Sequence, residues 1–349
     1  MRLPKTGAAM NKTNVSANID WELIPVTWEW WVIVQLALSV IGIVGNILVI
    51  IVVINRGKTR FATDVLIGNL AFADFLTSLW MIPRPQSDLV PDNWKGMLYC
   101  RIEYSNVFMW ISTVASVFIL TVISVERLVA VKYPLKFKLI FTIKRSLCLV
   151  GLSWIGAAIL NINTLAISTY DSENHACKTE LLDHAVHMTI GVLLFMFKYI
   201  IPIAIIVGSY VKIIQILRSE ARTFQADGRT AFHPARRISK TMRRMTRTVL
   251  IVVIVFIICW SPDQICYFLF NLDLYPTYMY SDISRVLVCI GFVNSCSNPL
   301  IYSVRNKKFR TELSHFLCIP ASDSKLPSHV TRSVVKSGGI KMISGQVPK

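Results

Sequence analysis

Seven stretches of the chain are apolar over the length needed to cross a membrane: Trp28–Ile54, Thr63–Ile82, Ile102–Val131, Ser146–Ile167, His184–Leu217, Val249–Phe270 and Ile283–Val304. A lipid-spanning helix needs about 20 mostly apolar residues. Only helices and closed barrels satisfy every backbone hydrogen bond inside lipid. The runs lack the alternation of barrel strands, so helices are expected. Composition agrees: of the 349 residues, 54% are hydrophobic and 16% charged, against about 25% charged in soluble domains. A soluble enzyme with one small core, a disordered chain and a disulfide-dense secreted scaffold are excluded. The expected fold is an all-α membrane protein, a seven-transmembrane helix bundle.

The net charge of +17 would suit a nucleic-acid partner, but its distribution argues otherwise. Most Lys and Arg residues lie between spans one and two (Arg56, Lys58, Arg60), after span three (Lys132 to Arg145), between spans five and six (Lys212 to Arg247) and in the tail from Arg305. All these segments fall on one side of a seven-span bundle. Cytoplasmic loops carry such an excess, so the N-terminus is expected outside, in the plasma membrane, with no nucleic acid bound. The first twenty residues are polar and hold no apolar segment suited to a secretory signal, so span one is expected to act as an uncleaved anchor. Asn11-Lys12-Thr13 and Asn14-Val15-Ser16 are glycosylation sequons in this outer tail, which makes Asn11 and Asn14 candidate sites. Cys100 and Cys177 also fall outside, where disulfides persist. The organisation expected is a tail over 1–27, a bundle over 28–317 and a disordered cytoplasmic tail over 318–349.

Inside the runs lie groups that lipid penalises: Asn46, Asp74, Glu126-Arg127, Lys198 and Asn298. Intramembrane charges mark function by default. Each also has a place in one known pattern. Gly45-Asn46 stands in run one and Asn69-Leu70-Ala71-Phe72-Ala73-Asp74 in run two. Glu126-Arg127-Leu128 ends run three, with Pro134-Leu135 beyond, and Trp154 lies in run four. Pro202 and Tyr210 mark run five, Phe256 and Cys259-Trp260-Ser261-Pro262 run six, and Asn298-Pro299-Leu300-Ile301-Tyr302 run seven. In this order, one set per run, the motifs resemble those of rhodopsin-like (class A) G-protein-coupled receptors over residues 30 to 317.

The resemblance implies a set of roles. Cys100 and Cys177 would form the family disulfide. Glu126 would hold Arg127 in an ion pair whose release frees a cation for a cytoplasmic G protein, with Tyr210, Asn298, Pro299 and Tyr302 completing the inner switch. The acid that extends this lock from helix six in many relatives is replaced here by Met242, which would raise basal activity. Asp74, with Ser116, Asn294, Ser295 and Asn298, would form an allosteric sodium site, since hard cations want oxygen ligands; no other cofactor is implied. Pro202 and Pro262 would kink their helices, letting Phe256 and Trp260 transmit ligand contact to the inner side. Cys100 lies two residues farther from Arg127 than the family spacing, which places the extra residues in the outer part of helix three or at its entry.

Beyond run seven, Phe309, Leu313, Phe316 and Leu317 form an apolar stripe among Lys307, Lys308 and Arg310. It describes a short amphipathic eighth helix on membrane lipid, with Cys318 as a palmitoylation site. Serines and threonines beyond it would serve receptor kinases and arrestin.

Absences narrow the ligand. The helix-three position where amine receptors carry aspartate holds Met109, and the position of the opsin lysine holds Phe292. The candidate pocket comprises Arg84, Gln86, Glu103, Met109, Trp110, Lys198, Asp263, Gln264 and Tyr267. Lys198 and Asp263 could pair with each other or each meet a ligand group. A mildly acidic vestibule suits a short neuropeptide with basic groups. A lipid or organic-acid ligand would be favoured if Arg84 and Lys198 are unpaired; a non-signalling transporter or channel is the alternative of another class.

Overall fold

The computed structural model describes residues 21–55, 61–180, 183–226, 234–305 and 311, with the backbone alone at 220–226, 234–245, 280 and 305. Seven helical spans in it are long and apolar enough to cross a membrane: Trp30–Asn55, Ala62–Trp80, Trp94–Lys132, Ile143–Ile167, His184–Ser219, Thr246–Asn271 and Asp282–Val304. They are called the first to seventh spans below. The amphipathic eighth helix, Cys318, Asn11, Asn14 and the Met242 side chain lie outside the described residues.

The first span packs on the second and seventh, the second and fifth flank the third, and the sixth packs on the seventh. The third span is therefore the axis of the bundle. Its Ile119, Leu120 and Ile123 are buried with Leu66, Leu70, Ile213, Phe256 and Tyr302. Val44, Leu152, Ile155, Ile159 and Ile258 are instead exposed on the outside, as lipid-facing side chains should be.

Lipid is as apolar as leucine, so helix association rests on close packing of small residues and on interhelical hydrogen bonds. Both are present. A Cβ on Gly45 would stand 2.9 Å from the Pro299 ring, so the first and seventh spans approach closely there. One residue on, Asn46 donates its amide to the Gly42 carbonyl at 2.9 Å and the Ser295 carbonyl at 3.0 Å.

Two spans contain a widened turn. The third begins with a helix at Trp94–Tyr99, capped by the Asn93 side chain on the amides of Lys95 and Gly96. It widens to a π-helical turn over Cys100–Tyr104, breaks at Asn106 in the left-handed region (φ 52°), and resumes as α-helix from Val107 to Lys132. This irregular entry lies in the outer part of the third span, where the two surplus residues before Arg127 are expected. The apolar run starts only at Ile102; the helix starts earlier because Asn93 satisfies its first amides. The fifth span has a π-turn at Met196–Ile200, just before Pro202. Proline offers no amide to the preceding turn, so that turn is free to widen. In the sixth and seventh spans, Pro262 and Pro299 lie inside continuous helices.

Two short antiparallel two-stranded sheets lie at the span ends, and only the second is a hairpin. Strand β1 (Glu22–Ile24) pairs with β2 (Gln86–Leu89). Strand β3 (Ser168–Asp171) pairs with β4 (Ala176–Thr179) through a turn in which His175 has φ 50°. The Asn174 side chain, with the Glu173 amide, holds the Asp171 carboxyl below its usual range. The Val90 amide donates to the His175 carbonyl at 2.7 Å, which ties the two sheets together.

Candidate functional site

The disulfide joins Cys100 in the π-turn of the third span to Cys177 in β4, with the Cα atoms 5.2 Å apart. It anchors the β3–β4 hairpin over the mouth of the bundle.

At the opposite end of the third span, Glu126 and Arg127 are both buried. The Arg127 guanidinium donates Nε to Glu126 Oε2 at 2.5 Å and an NH2 group to Oε1 at 2.7 Å. Thr63 at the start of the second span locks the pair: it accepts from Arg127 at 2.5 Å and donates to Glu126 Oε1 at 2.5 Å. Buried charges cost least when paired and fully hydrogen-bonded, and this triad achieves that between two helices. Tyr210 and Tyr302 are buried in the same core. The Tyr210 hydroxyl has no hydrogen-bond partner among the described residues.

Midway along the bundle, Asp74 is fully buried. Its carboxylate accepts from Ser116 Oγ at 2.8 Å and from Asn298 Nδ2 at 2.7 Å. Second, third and seventh spans thus meet at one acid. The side-chain oxygens of Asn294 and Asn298 are buried without a partner among the described residues. Orphaned oxygens in this core, which also holds a carboxylate, form a hard-oxygen donor set that fits a sodium ion.

Between this centre and the outer mouth, Phe256 and Trp260 are buried. Trp260 meets Phe292 edge-on at 6.1 Å. A Cβ on Gly291 would come within 3.0 Å of the Trp260 ring, so glycine there lets the indole lie flat on the seventh span. Pro202 is buried and Pro262 faces outward.

The outer candidates divide. Arg84 is engaged: it pairs with Glu103 at 2.6 Å, reaches the Trp80 carbonyl and Asn106, and lies over the Trp80 ring at 5.1 Å. Met109 is buried and Trp110 packs against the same core. Gln86 belongs to β2, paired with Ile24, so it is part of the outer β1–β2 sheet and not of the bundle interior. Polarity in the sequence could not reveal that strand.

Lys198 and Asp263 do not pair with each other. The Lys198 ammonium donates to Asn161 Oδ1 of the fourth span at 2.9 Å. Asp263 accepts from the Tyr278 hydroxyl at 2.8 Å and from Gln264 at 3.0 Å. The widened turn before Pro202 presents Tyr199, not Lys198, to the sixth span, where its hydroxyl bonds Ser261. Tyr267 is half-buried, with its ring 6.2 Å from Phe270.

Four contributors escaped the sequence reading. Asn161, a polar residue inside an apolar run, carried a usable signal. Thr63 and Gly291 carried none, because only contact with Arg127 and Trp260 distinguishes them. Tyr278 lies in a tyrosine-rich connection whose path the sequence does not define.

Comparison with known proteins agrees with this arrangement. The chain is 28% identical over 299 residues to an allatostatin-A receptor of Bombyx mori, covering 81% of this chain and 78% of that one. The family described as "7 transmembrane receptor (rhodopsin family)" matches residues 45–302, from the glycine packed on Pro299 to the buried tyrosine of the seventh span. With that span of motifs mounted on seven helices around a buried Glu126–Arg127 pair, the chain belongs to the rhodopsin family of seven-transmembrane receptors.

Proposed function

We propose that this receptor binds a short extracellular peptide and activates a heterotrimeric G protein. The observation that carries the ligand class is the outer interior, where two opposite charges, Lys198 and Asp263, stand on different helices and satisfy neutral partners instead of each other. A ligand carrying several polar groups along its length can address both. The name of the silkworm relative, an allatostatin-A receptor, supports the same class. The mechanism is a shift of population: ligand binds the active bundle better than the inactive one. Pressure on Trp260 moves the sixth span at Pro262. Arg127 then leaves Glu126 and Thr63 for the entering G protein, and Tyr210 supplies an unpaired hydroxyl near its path. In this reading the N-terminus faces outward, and the basic connections face the cytoplasm, where arrestin and receptor kinases act on the tail.

Asp74, Asn294, Asn298, Ser116 and Ser295 would hold a sodium ion, which supplies a positive charge that favours the inactive packing. These residues orient one another around the carboxylate, so the cluster must reorganise when the seventh span moves.

The test is guanine-nucleotide exchange in membranes expressing the chain, challenged with allatostatin-A peptides and a short-peptide library. Peptide-dependent exchange is expected. Ion flux without any G protein would instead favour a channel or transporter. One observation favours a second reading, a lipid or organic-acid ligand: among the described residues Lys198 has no acidic partner, and its contact is the neutral Asn161. Exchange driven by carboxylates and lost in Lys198→Gln would select it.

A further inference from the structure

We propose that Asp263 is the docking carboxylate for a cationic group of the ligand, a guanidinium or amine, and that Tyr278 is an internal stopper that occupies this carboxylate until the ligand displaces it. That the cation belongs to a peptide rests on the reading above; the site itself does not.

The first observation is a carboxylate without a counter-charge. Asp263 is only 5% exposed, and both its hydrogen-bond donors are neutral. Three cations of the outer half are committed elsewhere: Arg84 to Glu103, Lys198 to Asn161, and Arg285 to Asp282 at 2.7 Å. A carboxylate can accept about four hydrogen bonds, and a buried one without a cation remains poorly compensated. Gln264 is the adjacent residue and moves with Asp263. Tyr278 is therefore the only donor among the described residues that reaches this carboxylate from another element.

The second observation is where that donor comes from. Tyr278 begins a single 3-10 turn, Tyr278–Tyr280, in the connection between the sixth and seventh spans. Its side chain is 1% exposed, among the most enclosed large side chains of the molecule. A loop residue with its phenol at that depth fills space that the bundle does not close by itself. The turn is held by local bonds, from the Tyr278 amide to the Tyr275 carbonyl at 3.1 Å and from the Ser281 amide to the Tyr278 carbonyl at 3.0 Å. It can thus lift without unwinding either span. Burial, and then the Asp263 carboxylate, hold the Tyr278 phenol above its usual range, so it stays a proton donor.

The exchange is chemically favourable. A charged donor to a carboxylate forms a hydrogen bond roughly twice as strong as a neutral one, and a guanidinium can supply two in parallel. Asp263 also follows Pro262 directly and lies one turn beyond Trp260. A cation gripping it pulls on the outer arm of the sixth span, above the proline and beside the indole.

The experiment uses the full-length receptor in detergent with benzamidine as probe and neutral benzamide as control, read by thermal unfolding. Benzamidine should raise the unfolding midpoint of the unmodified chain, and benzamide should not. Tyr278→Phe removes the competing hydrogen bond and should lower the half-saturating benzamidine concentration about tenfold. Asp263→Asn should remove the response. Equal action of the two probes, or a response kept in Asp263→Asn, overturns the docking site. If Asp263→Asn does not fold, Tyr278→Phe decides alone: an unchanged half-saturation overturns the stopper. A second arm compares paired peptide libraries carrying arginine or citrulline at one position, read by nucleotide exchange. Activity confined to the arginine set supports the site; equal activity of both sets overturns it. Silence of both sets beside an intact benzamidine response rejects the peptide ligand and upholds the cation site.

Discussion

The two ends of the bundle handle buried charge in opposite ways. At the inner end, Glu126 and Arg127 neutralise each other and Thr63 fastens both to a neighbouring helix. At the outer end, Lys198 and Asp263 are kept apart and each settles for a neutral partner, an amide or a loop phenol. The inner arrangement is self-sufficient, so it costs free energy to open. The outer one is under-compensated, so an arriving ligand can improve on it. A receptor needs this asymmetry: affinity gained outside must exceed what is spent releasing the latch inside.

The contrast can be broken or sharpened by substitution. The largest effect belongs to Arg127→Ala, which should abolish nucleotide exchange while leaving ligand affinity unchanged. Radioligand binding beside an exchange assay checks this, and retained signalling would contradict the inner assignment. Next comes Cys177→Ser. Opening a crosslink that spans 77 residues should cost about 4 kcal/mol by chain entropy, seen as a lower thermal midpoint and loss of the outer binding site before any loss of the helical signal. Asp74→Asn should remove the sodium dependence of agonist affinity, an effect of about tenfold. Titrating sodium against potassium measures it, and an undiminished sodium effect would place the ion elsewhere. The smallest effect is expected from Thr63→Val, which removes two hydrogen bonds but leaves the ion pair. Basal exchange should rise about fivefold, for roughly 1 kcal/mol lost. If Thr63→Val is silent, the latch does not depend on the second span.

The bundle was legible because each crossing needs an uninterrupted apolar stretch, a signal that survives without tertiary information. The axial charges were legible too, since lipid makes Asp74, Arg127 and Lys198 conspicuous. Partners were not. Whether Lys198 meets Asp263 or Asn161 depends on the widened turn at Met196–Ile200, which rotates one side chain past the next. Gln86 has the composition of a pocket residue and the backbone of a paired strand. Thr63 became visible only when the second and third spans were placed side by side.

The irregular mouth of the third span has a broader consequence. Between the crosslinked Cys100 and the left-handed Asn106, the helix is locally irregular. From Val107 inward the helix runs on undisturbed to Lys132. Insertions or deletions at this mouth could re-aim the side chains that greet a messenger without shifting the signalling machinery at the far end. Recognition can therefore diversify through changes of length as well as of residue type, while the intracellular output stays in place.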